Sequence, residues 1–170
     1  MDKSVAAWFA NTKLFQQELI KGVLWQLYVA ERFRQLGCDV DHMDLNIKAG
    51  PVTEREKFIN SKDLIVNGNV IEVKSRNQEF SCADDFPFDT LFIDTKDGFD
   101  RKVDKPTLYV CVSQKTGGMC ALNVHDTKKH WQVEKTWDTV RKIRLTAYAC
   151  RKEMWLSMEE AAAYLNTIDD

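Results

Sequence analysis

The sequence predicts a mixed α/β fold, with strands through its middle and helices at both ends. Three observations predict it. A helical apolar pattern runs over 11–36 and stops at Gly37, with Asn11 or Thr12 as candidate caps. Two β-branched runs, Leu64–Val66 and 70–73, flank Asn67-Gly68-Asn69, a strong hairpin turn. Ser157-Met158-Glu159-Glu160 is a capping box that opens a last helix. Strands between terminal helices bury both apolar faces when they stack as an α/β or α+β sandwich.

The first helix carries two apolar stripes. Ile20, Val23, Leu24, Leu27 and Ala30 form one, and Trp25, Val29, Phe33 and Leu36 the other. A surface helix shows one stripe, so this helix is expected to be packed on two sides. Residues 41–60 are polar and irregular, with a short helix expected in 53–60. Further strands are expected at Thr90–Thr95, 107–113, 119–124 and 145–150, and Gly117-Gly118 turns the chain between the second and third of these.

At 170 residues the chain fits one domain, 1–170, large enough for a proper core. It is 44% hydrophobic and 29% charged, the balance of an ordinary globular protein. No stretch approaches the ~20 apolar residues of a membrane span, and the N-terminus lacks the apolar core of a secretory signal. The five cysteines (38, 82, 111, 120 and 150) include no CxxC, which argues for reduced thiols in a cytoplasmic protein and against a zinc or iron–sulfur site. The net charge of −2 does not advertise a nucleic-acid binder. Its distribution is uneven: eight acidic against three basic residues over 79–104, then eight basic against two acidic over 128–152. Such segregation gives either one basic, phosphate-binding face or two solvated faces that offset each other.

The hairpin carries the chemistry. With Gly68-Asn69 as a two-residue loop, Asp63 opposes Lys74; with Asn67-Gly68, Asp63 opposes Glu72. Either way Asp63, Glu72 and Lys74 share one face, while Ile71 and Val73 take the other, because side chains alternate with period two and opposed residues share a face. Charge in such a place must be paired or metal-bound. Two nearby carboxylates suit Mg²⁺ or Mn²⁺, which take one or two protein carboxylates and fill the octahedron with water and phosphate. A lysine beside them offsets charge on a phosphate or activates water, and these are the parts of phosphodiester hydrolysis. The alternative reading is a structural Asp63–Lys74 ion pair across the hairpin.

Asp63-Leu64 followed by Ile71-Glu72-Val73-Lys74 resembles the core motif of the PD-(D/E)XK nuclease superfamily. That group includes restriction enzymes, Holliday-junction resolvases and phage nucleases. Lys21-Gly22, Gln26 and Gly37 stand where resolvase-type members have a lysine-glycine, an acidic helix residue and a helix-ending glycine. The resemblance covers 21–77, and the rest only by order of elements. It implies a restriction-endonuclease-like core, a mixed central sheet flanked by helices with a long N-terminal helix before the catalytic hairpin. It also implies a metal-dependent endonuclease acting on double-stranded or branched DNA, with homodimerisation expected where both strands are cut. Asp63, Glu72 and the Val73 carbonyl would hold the metal, Lys74 would be the catalytic lysine, and Gln26 would complete the site. Two positions depart from the pattern: Lys62 stands where a proline is usual, and Gln26 where a glutamate is. The rival expectation is a catalytically silent nucleic-acid- or protein-binding module on the same fold.

Ser75, Arg76 and Asn77 continue from the catalytic strand toward neighbouring phosphates. Arg141, Lys142, Arg144, Arg151 and Lys152 are the candidates for backbone contacts. Trp131, Trp137 and Trp155 are candidates for stacking on bases, or else core residues. His125 and His130 read as surface residues.

Overall fold

The computed structural model describes residues 3–42, 63–138 and 142–168 of the chain. In chain order its elements are α1 (Lys3–Gln35), β1 (Val40–His42), β2 (Leu64–Val66), β3 (Asn69–Arg76), β4 (Thr90–Thr95), α2 (Lys96–Arg101), β5 (Leu108–Ser113), β6 (Met119–Asn123), α3 (Val124–Thr127), β7 (Gln132–Asp138), β8 (Ile143–Arg151) and α4 (Met158–Ile168). None of the described helices is long and apolar enough to cross a membrane. The helix expected in 53–60 lies outside the described residues.

α1 is already helical at Lys3, ahead of the Asn11 and Thr12 cap candidates. Asn and Thr inside a helix cost only a few tenths of a kcal/mol, ~0.7 at most, so neither need interrupt it. Its end follows expectation. Gly37 adopts φ 84, and the Cys38 amide donates to the Phe33 carbonyl at 3.0 Å, a closure that needs a left-handed residue. Trp25, Val29, Phe33 and Leu36 pack into the core, but Ile20, Leu24 and Leu27 stay exposed, Leu24 by 60%. The sheet covers the second stripe, whereas the first is buried only at Ala30 and half-buried at Val23, so the expected packing on two sides is not seen at Ile20, Leu24 and Leu27.

Five strands form a mixed sheet in the order β1-β2-β3-β5-β6, and three form an antiparallel sheet in the order β4-β8-β7. Only β3 and β5 pair in parallel, so the chain must cross over between them, and that crossover carries β4 and α2. β5 is buried along its whole length because both faces of the large sheet are covered. On one face α1 and α4 pack Val29, Phe33, Ala161 and Leu165 against Leu64, Ile71, Val110 and Val112. On the other, Tyr109, Cys111 and Leu122 meet Leu91, Ile93, Phe99 and Cys150 from the smaller sheet and α2. The capping box of α4 forms as expected: Glu160 N–H donates to Ser157 Oγ at 3.1 Å, and Ser157 N–H donates to Glu160 Oε2 at 2.8 Å.

β1, α2 and β7 carry no clear sequence signal. α2 is six residues long with Gly98 inside it, too short to show a helical period. β7 is a strand because β8 supplies its partner along seven residues. Pairing of β4 with β8 also sets the acidic 79–104 segment beside the basic 128–152 segment, so the two charge blocks meet within one sheet.

Candidate functional site

Asn67 and Gly68 form the hairpin loop, with φ 47 and 74, the paired positive values of a type I′ turn. Asn67 tolerates this because its side chain is tied down, with Oδ1 accepting from Asp39 N–H at 2.8 Å. Val66 pairs with Asn69 and Leu64 with Ile71, and one more step in that register sets Asp63 opposite Glu72. Of the two loop positions open to the sequence, Asn67-Gly68 is the one adopted. Ile71 and Val73 go to the helix-covered core, and Glu72 and Lys74 project from the opposite face.

Asp63 accepts two hydrogen bonds, from Val73 N–H at 2.8 Å and from Gln26 Nε2 at 3.0 Å. Gln26 thus reaches the hairpin from α1, but presents its N–H to Asp63. Lys74 Nζ lies 2.7 Å from Glu72 Oε1 and 3.4 Å from Asp94 Oδ1. Lys102 Nζ mirrors it, 3.0 Å from Asp94 Oδ2 and 3.4 Å from Glu72 Oε1. The Tyr109 hydroxyl donates to Asp94 Oδ2 at 2.8 Å.

Asp94, Lys102 and Tyr109 were not found from the sequence. Asp94 did leave a trace, since it is the one charged residue in the strand Thr90–Thr95, where Leu91 and Ile93 fill the core. A bulge between Phe92 and Asp94 shifts the register there. Lys102 follows α2 and Tyr109 sits in a buried strand, and nothing local marks either as a neighbour of Glu72.

The electrostatics divide the carboxylates. Burial, then the adjacent Glu72 charge, pushes Asp63 up to about 6, despite the Val73 amide. Burial also disfavours the Asp94 carboxylate, but Lys74 and Lys102 prevail and hold it below its ordinary range. Burial pulls on the Lys74 ammonium, yet Glu72 and Asp94 hold it above its usual value, so it stays charged. Tyr109, raised by burial and then by Asp94, remains a neutral donor.

Among the described residues no three His, Cys, Asp or Glu side chains gather as a metal-holding group. A magnesium site needs only one or two protein carboxylates. Asp63 and Glu72 are hard oxygen donors on one face, set opposite each other by the hairpin register. The donor set therefore fits a hard divalent cation at Asp63 and Glu72, with the Val73 carbonyl adjacent in the chain.

An open cleft of about 280 Å³ runs from Lys74, Arg76 and Asp94 to Trp137 and Leu145 of the β7–β8 hairpin. Arg76 lines it and donates to the Phe92 carbonyl at 3.0 Å, tying β3 to β4. Ser75 Oγ accepts from Gln114 at 2.9 Å, and Asn77 is exposed beyond the strand. Lys142 and Arg144 are exposed near the hairpin tip, and Arg141 lies outside the described residues. Arg151 and Lys152 sit at the far end of β8, roughly 24 Å away at the rise of an antiparallel strand. There Arg151 meets Glu153 at 3.5 Å, and Lys152 donates to the Asp84 and Phe86 carbonyls.

The tryptophans separate as well. Trp131 donates to Thr127 Oγ1 at 2.9 Å and packs edge-on against Phe99, and Trp155 is buried in the same core. Trp137 alone of the three is exposed, by 56%. His125 and His130 are on the surface, as expected. Comparison of the chain with protein-family models, curated proteins and solved structures finds no match.

Proposed function

We propose that the chain is a divalent-metal-dependent nuclease that hydrolyses DNA phosphodiester bonds, a reading in keeping with the PD-(D/E)XK resemblance. The observation that carries it is the opposition of Asp63 and Glu72 across the hairpin, with Lys74 bonded to Glu72 at 2.7 Å where the cleft begins. Asp63, Glu72 and the Val73 carbonyl would hold Mg²⁺ or Mn²⁺. Such a cation supplies Lewis acidity toward a phosphate oxygen and lowers the pKa of water.

The chain's own residues do the rest. Val73 N–H and Gln26 fix the Asp63 carboxylate from two sides, so it does not reorganise during reaction. Lys74, held charged by Glu72 and Asp94, acts as a fixed ammonium that steadies a phosphate and the charge growing on it, and not as a base. Asp94, Lys102 and Tyr109 set the position of Lys74 from behind. Lys102 also offsets the second carboxylate charge, so the face is not strongly repulsive toward DNA.

Cleavage of plasmid, single-stranded and branched DNA with Mg²⁺, by wild type and Lys74→Ala, tests this. Wild type should cut at least one substrate and the variant none. Undiminished cutting by Lys74→Ala would remove the mechanism. A second reading has its own support: Lys74 and Lys102 already neutralise Glu72 and Asp94, as they would in a silent DNA- or protein-binding module. Wild type that binds DNA and cuts nothing would favour it.

A further inference from the structure

We propose that Lys102 is a resident counter-ion that keeps the Asp63–Glu72 site from holding a divalent cation by itself, so that cation and phosphodiester bind as a pair. The inference deepens the nuclease reading and rests on it for the two ligands, while the role of Lys102 is argued from its own contacts.

Place is the first consideration. Lys102 follows α2 and reaches the hairpin from the crossover, with Nζ 3.0 Å from Asp94 Oδ2 and 3.4 Å from Glu72 Oε1. Lys74 Nζ already lies 2.7 Å from the same Glu72 oxygen. One carboxylate oxygen therefore carries two ammonium groups, where one is enough to neutralise it. Glu72 is 9% exposed and Asp94 8%, so water and salt screen this set less than they screen a surface pair. A cation that takes Glu72 as a ligand meets both ammonium groups at that carboxylate. Lys105 differs, since it turns to the Phe99 and Asp100 carbonyls instead.

Charge is the second. With Asp63, Glu72 and Asp94 ionised against Lys74 and Lys102, three carboxylates and two ammonium groups leave a net charge of −1. Arg76 and Asp138, which line the adjoining cleft, add one charge of each sign. A divalent cation alone turns the set to +1, and a phosphodiester alone turns it to −2. The two together leave it neutral, the state that costs least where charge is partly desolvated. Without Lys102 the same groups sum to −2, which a cation neutralises with no phosphodiester present. Lys102 thus decides which set of ligands the site balances. Linkage makes the effect reciprocal, so that cation and DNA each tighten the other by the same factor.

Mn²⁺ alone is the first probe, with the bound fraction read from loss of the aqueous Mn²⁺ EPR signal. Lys102→Met and Lys102→Gln should each bind Mn²⁺ roughly tenfold more tightly than wild type, a gain that a merely damaged site cannot produce. Lys105→Met should leave Mn²⁺ affinity near the wild-type value. The second probe is a fluorescein-labelled 12-nucleotide DNA with phosphorothioate linkages, which resist cleavage, titrated by anisotropy as single strand and as duplex. Mn²⁺ should tighten its binding to wild type roughly tenfold over EDTA, and by a clearly smaller factor in Lys102→Met. Unchanged or weaker Mn²⁺ binding in both Lys102 variants, or a wild-type DNA affinity indifferent to Mn²⁺, would overturn the proposal. Tighter Mn²⁺ binding by the variants with no cleavage of any DNA by wild type would leave the role of Lys102 standing and remove the nuclease reading. Cleavage by wild type with Mn²⁺ affinity untouched in both variants would do the reverse.

Discussion

The Lys74 ammonium sits 2.7 Å from Glu72 Oε1, two residues back on the same strand, and Asp94 holds it from the other side at 3.4 Å. Here Asp94 and Lys102 from the crossover close the arrangement into a ring of alternating charge.

Lys74→Ala should lower cleavage by roughly a hundredfold or more, since a positioned charge at the reacting phosphate is lost. It should also cost about 1–3 kcal/mol of stability, because Glu72 and Asp94 are left to share Lys102. Lys74→Arg should recover much of the stability and little of the activity, as a planar guanidinium does not replace a compact ammonium. Parallel urea melts and cleavage rates check this, and an Arg variant with full activity would contradict it.

Asp63 makes the metal-free protein less stable as pH rises. Its folded value of about 6 lies above the ordinary 3.8, so the folded state binds more protons between those values, and stability falls across that window. The full cost above pH 6 is about 3 kcal/mol at ~1.4 kcal/mol per pH unit. Asp63→Asn should therefore be more stable than wild type at pH 8 in EDTA and no more stable at pH 4. Denaturation at the two pH values measures this, and an advantage of equal size at both would refute the assignment.

Gln26→Glu should raise Mg²⁺ affinity about tenfold, because a carboxylate then replaces the amide that now donates to Asp63 at 3.0 Å. The same change should lower the melting temperature in EDTA by setting a third negative charge beside Asp63 and Glu72. Thermal shifts with and without Mg²⁺ read both effects. Unaltered Mg²⁺ dependence would place the cation elsewhere.

Asp94→Asn removes one of the two carboxylates that keep Lys74 charged, so the Lys74 pKa should fall. Loss of activity at high pH should then begin at lower pH than in wild type, with kcat affected more than KM. Initial rates across the alkaline range test this, and activity that instead rises with pH, with its rise moved to lower pH in Asp94→Asn, would show that Lys74 acts as a base.

The local features of the site were written in the sequence. Alternation along 63–74 put Asp63, Glu72 and Lys74 on one face under either two-residue loop, and Asn67-Gly68-Asn69 marked the turn while leaving open which pair forms it, since both depend on neighbours within a few residues. The end of α1 at Gly37 and the Ser157 capping box were legible for the same reason. What only the tertiary structure decided lies farther apart in the chain. Both stripes of α1 were expected to be covered, and only the position of the sheet left Ile20, Leu24 and Leu27 exposed. Asp94, Lys102 and Tyr109 meet Glu72 only because β5 pairs in parallel with β3, which forces the crossover that carries β4 and α2 over the face bearing Glu72 and Lys74. Likewise, three tryptophans looked alike until packing buried Trp155, half-buried Trp131 against the same core and left Trp137 exposed. Periodicity and turn chemistry are local properties of the chain, whereas the partners of a buried charge are set by contacts between segments that no short-range pattern records.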